Sequence, residues 1–374
     1  MMEKLTREAF EAILANFRID GLPLRFSPLG QGHIHDTYLA EIKFNDRIGK
    51  FTLQKINTHV FRQPEIMMAN WLKVTQHVSR KVMELEGERA VRQSLRPVFS
   101  SSGECYYRTP EGEYWRMYHY VDGCHTVEIA RTPDQAFEAG RAFGLFQKLV
   151  ADLQPEEMHE TIPFFHHTPK RFEHFLQAIR RASSQRKALA SEEISFVLNR
   201  QSLVSLVTDG LSSGRLPLRV THNDTKINNV LFDDETERGL CVIDLDTTMP
   251  GSPLYDFGDL VRTATCQAAE DERDLSLVAM DINLFQAVAE GYLSQTADLL
   301  IQAEKELLPL AGPLLTFTIG LRFLTDYLEG DVYFKTSYPE HNLVRARTQF
   351  KLLRSMEEQQ KEMKRIIEGI LKNS

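Results

Sequence analysis

Apolar and polar positions follow two different rhythms along this chain. In the first 120 residues the apolar positions come in short runs bounded by turn residues. Leu24-Arg25-Phe26, Thr37 to Ile42 and Phe51 to Ile56 read as strands, with Asn45-Asp46 as the turn between the last two. Cys105 to Arg108 and Tyr114 to Val121 read the same way, separated by a Pro110-Glu111-Gly112 turn. Two helices punctuate the region. Met1 to Phe17 mixes charged and apolar residues at helical spacing, and Pro64 to about Lys81 begins with a proline suited to a first turn. From Pro133 the spacing becomes mainly helical, over 133–152, 169–190, 191–209, 283–308, 313–329 and 340–371. Short strands around 219–246 interrupt it. The pattern predicts an α+β chain in two parts. Residues 1–120 carry an antiparallel sheet with a helix, residues 121–374 are mainly helical, and the boundary falls near 118–123.

Composition narrows the function classes. A length of 374 residues suits two lobes. The net charge of −8 argues against nucleic acid as a partner, because such binding relies on Lys and Arg neutralising phosphates. Cys105, Cys124, Cys241 and Cys266 are scattered with no C-x-x-C pair, which fits free thiols in a reducing compartment. The start lacks the apolar stretch of a signal peptide. The longest apolar run, Leu307 to Leu321, contains Pro309 and Pro313 and is too short to span a bilayer. The expectation is a soluble, cytoplasmic protein with no membrane partner. The final helix, with Leu343, Phe350, Leu353, Met356 and Met363 near helical spacing, is expected to pack within the chain and leave a monomer.

The chemistry concentrates in two segments. His222 to Asn229 reads H-x-D-x4-N, the spacing of a kinase catalytic loop, and Val242-Ile243-Asp244-Leu245-Asp246 places acids at the end of an apolar strand. Phosphoryl transfer from ATP needs a base for the acceptor hydroxyl and oxygen ligands for magnesium. Asp224 is the candidate base, or the residue that orients that hydroxyl; a solvated loop aspartate or a helix cap is the plain alternative. Asn229 and Asp244 are the candidate Mg2+ ligands. Lys226 is placed to neutralise charge on the migrating phosphoryl group, or is a surface lysine. His222 orients the loop. Asp246 either touches a second metal or makes a structural hydrogen bond.

The nucleotide side is read from the N-terminal strands. Gly30-Gln31-Gly32 joins two strands and does not open a helix, which separates it from a Rossmann turn and matches a glycine-rich loop over ATP phosphates. Gly30 and Gly32 would let backbone amides approach the phosphates; His35 stands where a third glycine is expected. Lys55 is the candidate strand lysine for ATP, with Gln54 in its place if the register slides by one; Glu65 is either its helix partner or, the plainer reading, a surface glutamate. Met117 and Tyr118 lie in the strand entering the hinge, where backbone would pair with adenine. Tyr255-Asp256-Phe257-Gly258-Asp259 contains a D-F-G string but lies too far from Asp224, so Asp256 is read as scaffold that ties the catalytic loop in place.

His222 to Asp233 (HNDTKINNVLFD), Val242 to Gly251 (VIDLDTTMPG) and Tyr255 to Arg262 (YDFGDLVR) resemble the aminoglycoside phosphotransferase and choline kinase superfamily. Leu53 to Asn57 (LQKIN) and Trp115 to Tyr118 (WRMY) are further similarities, and Gly32 to Tyr38 (GHIHDTY) and Arg322 to Phe334 (RFLTDYLEGDVYF) look most similar to its N-acetylhexosamine 1-kinase branch. The resemblance implies a bilobal protein-kinase-like fold and ATP-dependent phosphorylation of the anomeric hydroxyl of an N-acetylhexosamine. A small-molecule sugar is then the partner, contacted by Asp36, Arg322 and Tyr333. From the residues alone, Arg322 in an apolar helix is as well explained by an ion pair with Asp326. The rival readings are the same chemistry on an amino alcohol, an aminoglycoside or another sugar, and a nucleotide-binding scaffold without turnover. A cationic acceptor favours a carboxylate-rich pocket, whereas Arg322 and the His166-His167 pair suit a neutral polyol. The scaffold reading fits poorly with a base and metal ligands that are all present.

Overall fold

The computed structural model describes residues 5–30 and 34–373. Strands β1 (Leu22–Pro28), β2 (Asp36–Phe44) and β3 (Arg47–Lys55) form an antiparallel meander. Asn45 takes a φ of 47° in the turn that pairs Phe44 with Arg47, a conformation Asn tolerates better than most residues. The sheet continues through β4 (Pro97–Val98), β5 (Tyr107–Arg108) and β6 (Tyr114–His119), in the order β1-β2-β3-β6-β4 with β5 also on β6.

Strand alternation gives this sheet two different faces. Tyr38, Ala40, Ile42, Phe51, Leu53, Trp115 and Met117 share one core with Phe10, Ile13 and Leu14 of helix α1 (Arg7–Leu14). The opposite face meets α2 (Pro64–Glu86), where Trp71 lies 5.9 Å from Tyr118 between ring centroids and 4.8 Å below the Arg116 guanidinium. The apolar face of α2 (Met67, Met68, Val74, Val78 and Val82) belongs to the same core as the helical part that follows. The sheet is thereby anchored to it.

Two small sheets carry the chemistry. Strands β7 (Cys124–Thr126), β9 (Val230–Asp233) and β10 (Gly239–Val242) form one, in the order β10-β9-β7; β8 (Arg219–Thr221) and β11 (Met249–Gly251) form the other. Around them pack α3 (Pro133–Leu149), α4 (Thr168–Arg181), α5 (Ser184–Leu189), α6 (Ser191–Leu198), α7 (Leu206–Ser212), α8 (Pro253–Ala264), α9 (Ile282–Thr296), α10 (Gln302–Glu329), α11 (His341–Glu358) and α12 (Gln360–Asn373).

Several boundaries depart from the sequence pattern. The stretch expected as one helix over 169–190 divides after Arg181, because the Ser183 hydroxyl accepts from the Arg186 N–H at 3.2 Å and starts α5. The expected break between 308 and 313 does not occur. Helix α10 runs through Pro309 and Pro313, and among the described residues it is the one helix long and apolar enough to cross a membrane. Of its most apolar 18-residue stretch, 78% is buried inside the protein, so it serves as a core helix. Helix α8 was not foreseen; a Cβ on its Gly258 would collide with the Ala311 carbonyl of α10, which explains the glycine. The last two helices bury Leu343, Phe350, Leu353, Met356 and Met363 within the chain.

Candidate active site

The loop from His222 to Asn229 leaves β8 and is held from below by α8. Ser252 caps that helix, accepting from the Leu254 N–H at 3.3 Å. The Asp256 carboxylate in its first turn accepts the backbone N–H groups of His222 at 2.9 Å and Asn223 at 2.7 Å. Asp256 is thus the scaffold its sequence position suggests. Asn223 adopts a φ of 65°, and its side chain donates to the carbonyls of Thr221 and Thr247, both at 3.0 Å. These contacts over-determine a backbone conformation that costs free energy on its own. The His222 Nδ1 accepts from the Asp224 N–H at 3.2 Å, so Nε2 carries the proton and donates to the Ile243 carbonyl at 2.9 Å. With both nitrogens engaged and Phe143 and Phe146 edge-on at 5.5 Å, His222 orients the loop.

The loop delivers a set of converging polar groups. Lys226 Nζ stands 3.0 Å from Asp224 Oδ1. Asn229 Nδ2 donates to the Asp224 carbonyl at 2.8 Å and to its carboxylate at 3.3 Å. Both amide hydrogens of Asn229 therefore turn to Asp224, which leaves its oxygen without a donor among the described residues. Burial pushes the Asp224 carboxyl up, but the Lys226 ammonium outweighs this and holds it below its ordinary value. The Asp224 carboxylate in turn raises the Lys226 ammonium. Both remain charged, as a base beside a phosphoryl-neutralising cation requires.

Asp244 and Asp246 follow β10 in one short turn, and Asp244 is left-handed at φ 59°. Its carboxyl makes no hydrogen bond or ion pair among the described residues. Burial, then the Asp246 and Asp224 carboxylates, push it up to about 6. A cation is what this position lacks. Asp246 is the opposite case. It is bridged by both terminal nitrogens of Arg116, one at 2.8 Å, and by His35 Nε2 at 2.7 Å. Burial pushes Asp246 up, but Arg116 and His35 more than offset it and hold the carboxyl well below the usual range. Asp246 therefore makes structural hydrogen bonds, one of the two roles open from sequence.

Of the expected nucleotide residues, some meet this cluster and some do not. Gly30 follows β1 at a φ of 72°, and a Cβ added there would meet nothing within 4 Å; Gly32 lies outside the described residues. Lys55 pairs directly across from Asp36 and lies over the Trp115 ring at 5.9 Å, on the α1 face of the sheet, bonded to Glu113. The strand-lysine expectation is corrected by one residue. Gln54 occupies the α2 face, where its oxygen accepts from Arg116 Nε at 2.8 Å. Glu65 accepts from the Tyr114 hydroxyl and does not meet Lys55. The same alternation puts Asp36 on the α1 face, away from the Asp224 cluster. Met117 packs its side chain in the α1 core, while Tyr118 is on the cluster side, its hydroxyl raised by burial beside Arg116. The buried cation on the α2 face of the sheet is Arg116, 2% exposed in an apolar strand and already taken up by Asp246 and Gln54. A charge in mid-strand was the available signal.

On the other side of Asp224, the buried His166 Nε2 donates to the Asn223 carbonyl at 2.7 Å. Burial lowers its basicity to about 4, and it feels the charges of both Asp224 and Arg322. Arg322 lies over Phe165 at 5.3 Å, Phe334 at 5.4 Å and Tyr333 at 5.8 Å. It has no acid partner among the described residues. Asp326, the expected partner, instead accepts the N–H groups of Val332 at 2.9 Å, Tyr333 at 2.8 Å and Phe334 at 3.0 Å.

Residues 26–292 match the model of the phosphotransferase enzyme family (APH). Among solved structures, a spectinomycin phosphotransferase in complex with ADP and spectinomycin aligns at a TM-score of 0.58 and 12% identity, covering 96% of this chain and 100% of that one. An aminoglycoside phosphotransferase from Alicyclobacillus acidocaldarius aligns at 0.58 and 13%, covering 94% and 96%. A choline/ethanolamine kinase family protein from Mesorhizobium loti aligns at 0.54 and 15%, covering 98% and 99%. These likenesses carry the protein-kinase-like fold. With well over half of its length matched, the chain belongs to the phosphotransferase enzyme family and is a small-molecule phosphotransferase.

Proposed function

We propose that the chain transfers the γ-phosphoryl group of ATP to the anomeric hydroxyl of an N-acetylhexosamine, giving the sugar 1-phosphate. The observation that carries the acceptor class is the unpaired Arg322 guanidinium, set among Phe165, Tyr333 and Phe334 next to the His166 that clamps Asn223. An unneutralised guanidinium repels choline, ethanolamine or a polyamine sugar, whereas it donates hydrogen bonds to a neutral, oxygen-rich ring. The aromatic rings supply an apolar wall for the ring carbons.

Asp224 accepts the proton of the attacking hydroxyl, and Lys226 beside it offsets charge on the transferring group. An anomeric hydroxyl is more acidic than an ordinary alcohol, so positioning and charge neutralisation supply most of the rate. Magnesium would be held by Asn229 and Asp244, and when bound it neutralises the phosphate oxygens. The donor set fits: one free amide oxygen and one unpaired carboxylate. Among the described residues no three His, Cys, Asp or Glu converge on a point. Magnesium with a nucleotide needs only one or two protein carboxylates, the phosphates and water completing its octahedron.

The test is phosphorus NMR on purified protein with Mg-ATP and a panel of free sugars and amino alcohols, with Asp224→Asn as control. A sugar 1-phosphate signal from N-acetylglucosamine or N-acetylgalactosamine that is lost in the variant supports the reading. Phosphorylated choline or ethanolamine, with no sugar product, contradicts it.

A further inference from the structure

A second guanidinium, that of Arg171, lies close enough to Arg322 to feel its charge. Arg171 sits in the first turn of α4, which Thr168 ties to α10 through a hydroxyl contact of 2.9 Å with Thr318. Thr168 and Arg171 are three apart on one helix, and Thr318 and Arg322 four apart on the other. Each pair therefore shares a face, and the two arginines meet across the helix contact. Arg171 Nη2 donates to the Phe165 carbonyl at 3.3 Å, while its Nε–H is buried with no hydrogen-bond partner among the described residues. No carboxylate pairs with either arginine among the described residues. His166 Nδ1, also buried, has no partner either.

Buried donors are ordinarily satisfied, and two like charges packed together repel. Burial, then Arg322, depress the Arg171 guanidinium to about 10. Aromatic rings alone do not satisfy an N–H. The Nε–H itself has no exposed surface, so a ligand oxygen would meet the other edges of the half-buried Arg171 and Arg322 guanidiniums.

Resting on the N-acetylhexosamine reading, we propose that Arg171 is a specificity-determining residue that donates, together with Arg322, to the acyl oxygen of the acceptor's acetamido group. The same pair rejects a free amino sugar, whose ammonium would face two guanidiniums. The acceptor class is thereby an N-acylated hexosamine, not any neutral hexose.

The experiment measures kcat/KM for N-acetylglucosamine, glucose and glucosamine with Mg-ATP, in the wild type, Arg171→Met and Arg171→Lys. Wild type should rank N-acetylglucosamine first and glucosamine last. Arg171→Met should lower the N-acetylglucosamine-to-glucose ratio about 10- to 100-fold, the scale of one lost hydrogen bond to a charged donor. It should also raise glucosamine relative to glucose. Arg171→Lys keeps the cation and can still reach the Phe165 carbonyl; it should preserve the rejection of glucosamine while losing much of the N-acetyl preference. Thermal unfolding of both variants separates a misfolded protein from a selective loss. Equal loss on N-acetylglucosamine and glucose in a folded variant would overturn the role of Arg171 while leaving the parent reading intact. A wild type inactive on every hexose would overturn both.

Discussion

Asp244 and Asp246 stand two residues apart in one turn, yet the protein treats them in opposite ways. Asp246 is enclosed by Arg116 and His35 and held ionised, whereas Asp244 faces two other carboxylates without a partner among the described residues and is pushed up to about 6. The same contrast divides the arginines. Arg116 is saturated by Asp246 and Gln54, while Arg171 and Arg322 have no acid among the described residues. A buried charge with all its partners joins the sheet to the helical part across 130 residues of sequence. A charge left without one is a place where a ligand supplies what the chain does not.

The largest expected effect removes the base. Asp224→Asn should lower kcat by roughly 10²- to 10⁴-fold while nucleotide binding, read by calorimetry, persists. Near-normal turnover would take Asp224 out of the mechanism. Next comes the paired acid. Asp246→Asn strands a buried Arg116 and should cost about 3–5 kcal/mol in denaturant unfolding. A loss under about 1 kcal/mol would mean the bridge behaves like a surface pair.

His166 stands between the two classes, bonded at Nε2 and unpartnered at Nδ1. Its folded value of about 4 lies below the ordinary histidine value of about 6.5, so the folded state binds fewer protons in that window. Stability should therefore rise as pH increases from about 4 to 6.5, and acidification should erode it by up to about 3 kcal/mol. Melting curves across this range, wild type against His166→Gln, check it; parallel curves would count against a buried neutral imidazole. The smallest effect is at Arg322. Arg322→Met should raise the acceptor KM about 10-fold with the ATP KM little moved, the pattern of a lost ground-state contact. An equal rise in both would place Arg322 outside the acceptor pocket.

How much of this was legible depended on whether the information was local. The β2–β3 hairpin was legible because Asn45-Asp46 marks its turn, and the catalytic loop because His222, Asp224 and Asn229 fall within eight residues. Helix α8 was not, although Asp256, Asp259 and Arg262 recur at helical spacing: these polar positions are buried with the rest of the helix, so the stripe does not mark a solvent face. Lys55 was misplaced for a sharper reason: side chains alternate along a strand, so one residue of register moves a lysine to the other face. Arg116 looked like part of a hinge strand, since its partner lies 130 positions away. The freedom of Arg322 was invisible because Asp326 sits one turn along the same helix, and only the loop at 332–334 shows that its carboxylate is already used.

The most direct test compares the two acids in one experiment, thermal unfolding of Asp244→Asn and Asp246→Asn with and without Mg-ATP. Asp244→Asn should melt no lower than wild type alone and lose most of the stabilisation by Mg-ATP. Asp246→Asn should melt well below wild type while keeping a clear Mg-ATP shift. The reverse pattern, with Asp244→Asn unstable but fully responsive to Mg-ATP, would contradict the division of this site into paired scaffold and unpaired ligand groups.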